Sequence, residues 1–175
     1  IESILSYEEF SSSIKKSQII SDLNDSLDQA VDLLMNANSP GLFLGWGAVD
    51  VSKDTIRIAE LLGAPVSTTL QGLSAFPGNH PLHTGMSFGP AAVPAATNAF
   101  SACDCMLAIG TRFGEIGTGS FGVSVPADLI HIDINAQALN ANYPAKVAIQ
   151  GDSVDISPLL LKKLEGKRKM IVVLI

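Results

Sequence analysis

Residues 106–109 form an unbroken apolar run that ends at Gly110, and this run constrains the fold more than any other feature of the sequence. Such a run is typical of a strand in the middle of a parallel sheet, where both faces are covered. Further runs predict strands at residues 42–44, 66–69, 129–134 and 146–149. Because segments with helical spacing of apolar residues separate these runs, the sequence predicts repeated βαβ units. We therefore expect an α/β three-layer sandwich, with a mostly parallel sheet of five to six strands and helices on both faces.

Four helices are predicted from the spacing of apolar residues and from their stop signals. They run from Leu23 to about Met35, from a Ser52 cap to Gly63, from Pro94 to about Ala102, and over residues 157–164. Residues 71–90, which are rich in glycine and proline, form the longest stretch predicted to be irregular. A loop of that length is usually functional. The alternation of residue types at 129–134 predicts a less buried strand.

Composition limits the class of protein. The chain has 175 residues, of which 47% are hydrophobic, enough for the core of one domain. A net charge of -6 with 16% charged residues argues against a nucleic-acid partner. The apolar runs fall far short of the roughly 20 residues of a transmembrane helix, so no membrane span is predicted. An acidic N-terminus and only two cysteines, without a disulfide framework, predict a cytoplasmic protein.

We predict three segments: a linker at residues 1–22, the folded domain at 23–165, and a truncated C-terminal linker or strand at 166–175. The first segment is rich in serine and has no sustained period. The last ends in an apolar stretch, and the chain opens at Ile1 rather than at a methionine. The sequence is therefore expected to be a domain excised from a longer polypeptide.

Glycine and polar residues follow each predicted strand at the carboxyl edge of the sheet, where ligands bind in folds of this class. In chain order they are Gly45-Trp46-Gly47, Thr68-Thr69, Gly110-Thr111-Arg112, Asp133 and Gly151-Asp152. Glycines let a phosphate approach backbone N–H groups, a guanidinium binds it through two hydrogen bonds, and a carboxylate accepts hydrogen bonds from a ribose. The set predicts a nucleotide site on a Rossmann-like sandwich, with phosphates near Gly45, Gly47 and Arg112 and a ribose at Asp133.

These residues also have structural interpretations. The Gly45-x-Gly47 pair lacks the third glycine of a dinucleotide fingerprint and is compatible with a simple tight turn. An ion pair with Glu115 is the alternative for Arg112. Asp133 has the alternative of capping a short helix that begins near Asn135. The sequence leaves these alternatives open.

Other conspicuous residues do not form a recognisable site. His80-x-x-His83 and Cys103-x-Cys105 lack the usual spacings of zinc ligands, and the cysteines are interpreted as buried thiols. His131 is interpreted as a partly buried packing residue, and Trp46 as a residue that stacks on a ligand ring or wedges against a neighbouring domain. A Walker sequence does not occur. The sequence thus predicts no catalytic and no metal-ligating residue in this chain.

A series of motifs spread in order over residues 23–155 resembles a known family. The motifs are LGWGA (44–48), LLGAPVSTT (61–69), GNHPL (78–82), GM (85–86), LAIGTRF (107–113), IHIDI (130–134) and GD (151–152). Together they resemble the central domain of thiamine-diphosphate-dependent enzymes, and acetolactate synthase and its relatives in particular.

The resemblance implies a nucleotide cofactor. In acetolactate synthases the central domain binds FAD, and other members bind ADP or coenzyme A there, or nothing. The positions that the resemblance assigns to cofactor binding are Gly45, Trp46, Gly47, Thr68, Thr69, Gly85, Met86, Arg112, Asp133 and Asp152. This chain departs from the family sequence G-A-R-F-D-D-R, because Ile116 stands where the family has its second arginine. One phosphate or flavin contact is therefore expected to be missing.

The resemblance also implies partners and a division of labour. Subunits of this family have a pyrimidine-binding domain before the central domain and a diphosphate-binding domain after it, and thiamine diphosphate with Mg²⁺ lies between those two. The activating glutamate and the magnesium-binding G-D-G motif belong to these partners. The central domain is then a non-catalytic part of a homo-oligomeric carboligase or decarboxylase (a transferase or lyase) that acts on 2-keto acids. The alternatives are a freestanding nucleotide-binding regulatory module and an NAD-dependent deacylase or related enzyme.

Overall fold

The computed structural model describes residues 16–173, and the side chains of residues 22–168. In chain order its elements are α1 (Lys16–Asn36), β1 (Pro40–Leu44), a 3₁₀ helix (Trp46–Val51), α2 (Ser52–Leu62), β2 (Val66–Thr68), a 3₁₀ helix (Leu73–Ala75), β3 (His83–Met86), α3 (Pro94–Phe100), β4 (Cys105–Ile109), β5 (Asp128–Asp133), β6 (Val147–Gln150) and α4 (Ser153–Val173).

The six strands form one sheet in the order β3-β2-β1-β4-β5-β6, and every neighbouring pair is parallel. The predicted α/β fold, with its parallel sheet and Rossmann-like architecture, is confirmed. After β1 the chain adds β2 and then β3 on one side of the sheet. It then crosses to the other side of β1 and adds β4, β5 and β6 in turn. The strand order therefore reverses between β1 and β4, and a crevice opens at such a point beyond the carboxyl ends of the strands.

The central strands are buried on both faces, because alternate side chains contact different layers. On one face, residues such as Leu42 and Leu107 pack in a core cluster with apolar residues of α1, α2 and α4. On the other face, Phe43 and Met106 belong to a second cluster. The continuous apolar runs of the sequence are explained by these two layers.

Aromatic rings cover the second face. The Phe43 and Phe88 rings meet edge to face with centroids 5.0 Å apart, and Phe88 stacks on Phe100 at 4.7 Å. Phe113 lies 5.5 Å from Phe43. Among the residues whose side chains are described, α3, with seven residues, is the one helix that contributes to this cluster, so the rings and the loop after β4 close this side of the sheet.

Two helices are longer than predicted. α1 begins at Lys16, inside the predicted linker, and residues 1–15 of that linker lie outside the described residues. α4 begins four residues before the predicted start and continues to Val173, through most of the segment predicted as a linker or strand. Once a helix is nucleated, each added residue gains one hydrogen bond, and neither extension contains a proline that would stop it.

The stretch predicted to be irregular, residues 71–90, contains strand β3 (His83–Met86) and a 3₁₀ helix. β3 is an edge strand with no fully buried residue, and its register against β2 shifts between Val66 and Ser67. Such a strand carries no apolar alternation, which is why the sequence pattern missed it. The prediction of a less buried strand at 129–134 is also wrong, because β5 lies between β4 and β6 and five of its six residues are buried.

The helix predicted to start at a Ser52 cap is instead preceded by the 3₁₀ helix Trp46–Val51, so Ser52 is the first residue of α2. The first helical turn forms directly after β1, where the Ala48 N–H donates to the Gly45 carbonyl at 3.1 Å. The predicted end is confirmed, since Gly63 closes α2 in the left-handed region at φ 63°.

The turns that follow β1 and β4 pack directly on each other. The Gly45 N–H donates to the Ile109 carbonyl at 2.9 Å, and the Gly47 N–H donates to the Gly110 carbonyl at 3.1 Å. A Cβ added at Gly45 would lie 2.0 Å from the Gly110 oxygen, and one added at Gly110, where φ is 60°, would lie 2.4 Å from the Gly47 Cα. These glycines are required for the contact between the two backbones.

His131 of β5 is bonded to the turn after β4. Its Nε2 lies 2.8 Å from the Thr111 carbonyl oxygen, and because a carbonyl only accepts, Nε2 carries the proton. The ring also meets Phe113 edge to face at 5.1 Å. From the other side, the Asn142 amide donates to the carbonyls of Arg112 and Phe113 at 3.2 and 3.1 Å. His131 is fully buried rather than partly buried, and it holds the turn that presents Arg112.

We predict that Gly45→Ala destabilises the domain, because the added methyl collides with the backbone of Gly110. The free energy of unfolding should fall by roughly 1 to 3 kcal/mol, as in other overpacked sites. Gly114→Ala is the matched control, since a Cβ at Gly114 meets nothing within 4 Å. Urea denaturation of both variants measures the effect, and equal stabilities would contradict the structural role of Gly45.

A second prediction concerns pH. Burial lowers the pKa of His131 below its ordinary value, so the folded protein keeps the ring neutral where the unfolded chain takes up a proton. The free energy of unfolding should therefore fall as the pH drops below about 6.5, until the lower folded-state pKa is reached. His131→Gln should lose this part of the pH dependence. Urea denaturation between about pH 7.5 and about pH 5.5 tests it, and an identical pH dependence in both proteins would refute it.

Candidate functional site

Two adjoining cavities lie at the crevice between the carboxyl ends of β1 and β4. We name them the Asp133 bay, lined by Asp50, Asp133, Ile134, Asp152 and neighbouring residues, and the Ile116 bay, lined by Thr69, Gln71, Glu115, Ile116 and Gly117. Trp46, Gly110 and Arg112 line both and form the ridge between them. Their volumes are about 310 and 520 Å³, within the range of small-molecule sites. Together they form the strand-end cleft.

The Asp133 bay is acidic. Asp133 is only 7% exposed, and its Oδ1 accepts the Asn135 N–H at 2.8 Å. The short helix that Asp133 was expected to cap in the alternative interpretation is a turn in the structure, so this bond closes a turn and not a helix. Asp152 caps α4, since its Oδ1 accepts the Val154 N–H at 3.1 Å. Asp50 is exposed on the 3₁₀ helix. Two of the three carboxylates thus have structural partners as well as a place in the cleft.

Arg112 is exposed on the ridge, and its guanidinium makes no ion pair with any residue whose side chain the structure describes. The alternative of a pair with Glu115 is therefore not observed. Arg112 is also the only cationic side chain among the residues that line either bay. It is available to bind an anion in the cleft.

The Ile116 bay is amphipathic. Ile116 and Trp46 are each 69% exposed and give it two apolar walls. The Thr69 Oγ1 accepts the Gly72 N–H at 3.0 Å, which leaves its own hydroxyl hydrogen free to donate. A ligand in this bay can bury apolar surface and make a few directed hydrogen bonds.

The structure brings together seven of the ten residues predicted to bind a cofactor. They are Gly45, Trp46, Gly47, Thr69, Arg112, Asp133 and Asp152. Thr68, Gly85 and Met86 line neither bay. Thr68 is fully buried at the end of β2, and Gly85 and Met86 lie on the edge strand β3, where the Gly85 carbonyl accepts the Ser67 hydroxyl at 3.1 Å.

Sequence reasoning missed Asp50 and Gln71, which also line the cleft. The sequence does hold a signal for Asp50. In a 3₁₀ helix residues three apart lie on the same side, so Asp50 follows Gly47 toward the Asp133 bay. Predicting that helix after Gly45 was the missing step. Gln71 lies in the irregular loop after β2 and carries no comparable pattern.

The remaining motifs do not form a second site. Within residues 22–168 no group of three or more His, Cys, Asp or Glu side chains is arranged to hold a metal ion. Burial raises the pKa of the Cys103 thiol to about 11 and that of Cys105 to about 12, so both stay protonated at neutral pH. No helix in the described part of the chain is long and apolar enough to cross a membrane.

Comparisons with known proteins identify the family. Residues 27–160 match the family model described as thiamine pyrophosphate enzyme, central domain. Among curated proteins, the chain is 36% identical over 141 residues to the probable acetolactate synthase large subunit of Methanocaldococcus jannaschii, covering 79% of this chain and 24% of that protein. It is 34% identical over 145 residues to the acetolactate synthase large subunit of Corynebacterium glutamicum, covering 81% and 23%.

A relative with a different activity is also similar. The sulfoacetaldehyde acetyltransferase of Roseovarius nubinhibens is 33% identical over 146 residues, covering 80% of this chain and 24% of that protein. The chain thus spans about a quarter of the length of the curated relatives it matches. The resemblance seen in the motifs is confirmed: this chain belongs to the family of central domains of thiamine pyrophosphate enzymes.

Proposed function

We propose that this chain is the non-catalytic central domain of an acetolactate synthase-like enzyme that acts on 2-keto acids and uses thiamine diphosphate with Mg²⁺. The domain braces the pyrimidine-binding and diphosphate-binding domains of the same polypeptide and holds a ribonucleotide in its strand-end cleft. The observation that carries this proposal is the family match over residues 27–160, in a chain about a quarter as long as its relatives. A freestanding regulatory module is less consistent with that difference in length.

The state of the titratable residues supports a non-catalytic role. His131 is neutral and its Nε2 is bonded to a backbone carbonyl. Cys103 and Cys105 are protonated thiols. The carboxylates of Asp133 and Asp152 accept backbone N–H groups. These groups hold the fold, and none is paired with a second side chain as a base and nucleophile would be.

Exposed apolar side chains around the cleft support the bracing role. Trp46, Ile116 and Ile134 are each about two-thirds exposed, and all three line the cleft. A concentration of exposed apolar residues is typical of an interaction surface. We propose that neighbouring domains of the polypeptide cover this rim and that the complete enzyme is a homo-oligomer.

The cleft itself supports the nucleotide. Arg112 offers an unpaired guanidinium for a phosphate, and Asp133 offers a buried carboxylate for a ribose hydroxyl. The topology gives the same indication, because nucleotides bind at the reversal of strand order in doubly wound sheets. FAD and ADP are the ligands that the family resemblance implies for this cleft.

We predict that the isolated chain neither binds thiamine diphosphate nor consumes pyruvate. The described residues contain no metal-holding group of side chains that could anchor a magnesium diphosphate. Calorimetric titration with thiamine diphosphate in the presence of Mg²⁺ should give no heat beyond that of a titration with Mg²⁺ alone. Micromolar binding, or turnover of pyruvate, would contradict the proposed division of labour.

We predict that Arg112→Ala weakens nucleotide binding without unfolding the domain. Loss of a charge-assisted contact to a phosphate costs on the order of 1.5 to 3 kcal/mol, or about ten- to a hundredfold in affinity. The affinity for ADP, measured by calorimetry, should fall accordingly while the melting temperature stays nearly unchanged. Arg57→Ala is the control, because Arg57 is an exposed arginine that pairs with Glu60 and Glu165 and lines neither bay. An unchanged affinity with a lowered melting temperature would make Arg112 a structural residue.

A further inference from the structure

We propose that two copies of this chain pair through the uncharged layer over the second face of the sheet, and that each copy inserts Phe121 into a pocket of the other. The uncharged layer consists of residues 86–103 and 117–127. It is a surface apart from the strand-end cleft, and the inference rests on neither the nucleotide nor the thiamine function proposed above.

The charged residues of the chain are distributed unevenly. Residues 61–103 and 116–127 contain no Lys, Arg, Asp or Glu, although the whole chain has 11 basic and 17 acidic residues. The helices α1, α2 and α4, on the other face, carry charged outer surfaces with ion pairs such as that of Lys163 with Asp28. A surface that faces water is normally rich in charged residues. Depletion of charge is instead typical of the core of an interface.

The uncharged layer exposes apolar side chains. Val93 is 53% exposed, Phe121 51% and Met86 43%. The two segments of the layer lie side by side, since a Cβ added at Gly89 would lie 3.1 Å from the Val123 Cγ1. The exposed apolar residues therefore share one continuous surface, as in a protein–protein contact.

The turn that presents Phe121 has a strained backbone. Gly119, Ser120 and Phe121 have successive positive φ angles of 57°, 55° and 61°. This conformation is unfavourable for a bulky residue such as phenylalanine. It is held by two hydrogen bonds, because the Phe121 N–H donates to the Thr118 Oγ1 at 3.1 Å and the Tyr143 hydroxyl donates to the Phe121 carbonyl at 3.2 Å. Strain that keeps a phenyl ring half exposed indicates a partner outside the chain.

A pocket lies beside Phe121 in the same layer. Its volume is about 290 Å³, the stacked rings of Phe88 and Phe100 line it, and none of its described lining residues is charged. An apolar cavity of about 150 Å³ already holds a benzene ring in another protein. Gly122 also lines the pocket, so the exposed ring stands next to its rim.

A second copy of the chain is the partner that this surface fits. A ring beside a pocket is self-complementary, because a two-fold axis between two copies brings each ring to the pocket of the other. Charge favours the same arrangement. Each copy has a net charge of -6, so the uncharged layer is where two copies meet without opposing like charges.

The test is sedimentation equilibrium of the full chain and of Phe121→Asp. We expect the wild type to form a dimer, and the variant to raise the dissociation constant at least about tenfold, because an aromatic anchor is lost and carboxylates enter the contact. Aspartate tolerates positive φ better than phenylalanine, so the variant should fold. Leu159→Asp is the matched control, since Leu159 is 44% exposed on α4 and the charge changes equally. A monomeric wild type, or an equal rise in both variants, would overturn the interface and leave the nucleotide proposal unaffected.

Ser124→Trp tests the pocket separately. Ser124 is exposed and lines the pocket, so a bulky ring there should block the entry of Phe121 without disturbing the core. We expect this variant to weaken the dimer as Phe121→Asp does, with a melting transition that shows it to be folded. If Phe121→Asp dissociates the dimer and Ser124→Trp does not, the ring does not occupy the pocket and the proposal fails.

Discussion

The cleft depends on the contact between the backbones of the turns after β1 and β4. Gly45 and Gly47 donate to Ile109 and Gly110 across the point where the strand order reverses. That reversal opens a crevice, and the contact lies at its floor between β1 and β4. Because the two backbones are in contact, the N–H groups of these glycines are bonded to carbonyls of the protein itself. A glycine-rich strand end, which is usually associated with phosphate binding, is here an element of packing.

The fold also positions two charged side chains in the cleft. Arg112 is held at the ridge by a turn that His131 and Asn142 fix through its carbonyls. Asp133 is buried at the end of β5, between the neighbouring strands β4 and β6. One cation and one buried carboxylate of the cleft are thus positioned by the central strands and the bonds of the turn after β4. The carboxylates of Asp133 and Asp152 also accept backbone N–H groups, so these two side chains serve the fold as well as the cleft.

The two faces of the sheet are built differently. Three helices pack on one face, whereas stacked and edge-to-face phenyl rings close the other. Apolar side chains also remain exposed at the rim of the cleft, led by Trp46 and Ile116. A concentration of exposed apolar residues of this kind is typical of an interaction surface.

The sequence by itself determined the fold class and five of the six strands, because apolar runs ended by glycine are local signals of buried parallel strands. It also identified Arg112 and Asp133, since the carboxyl ends of parallel strands share one edge. Edge strand β3 was not predicted, because its half-exposed residues carry no such pattern. Only the tertiary structure decided that Gly85 and Met86 lie apart from the cleft, that Asp50 lines it, and that the glycine N–H groups are used. The glycine contacts depend on partners more than 60 residues away in the chain, such as Gly110 for Gly47, and local patterns do not record such contacts.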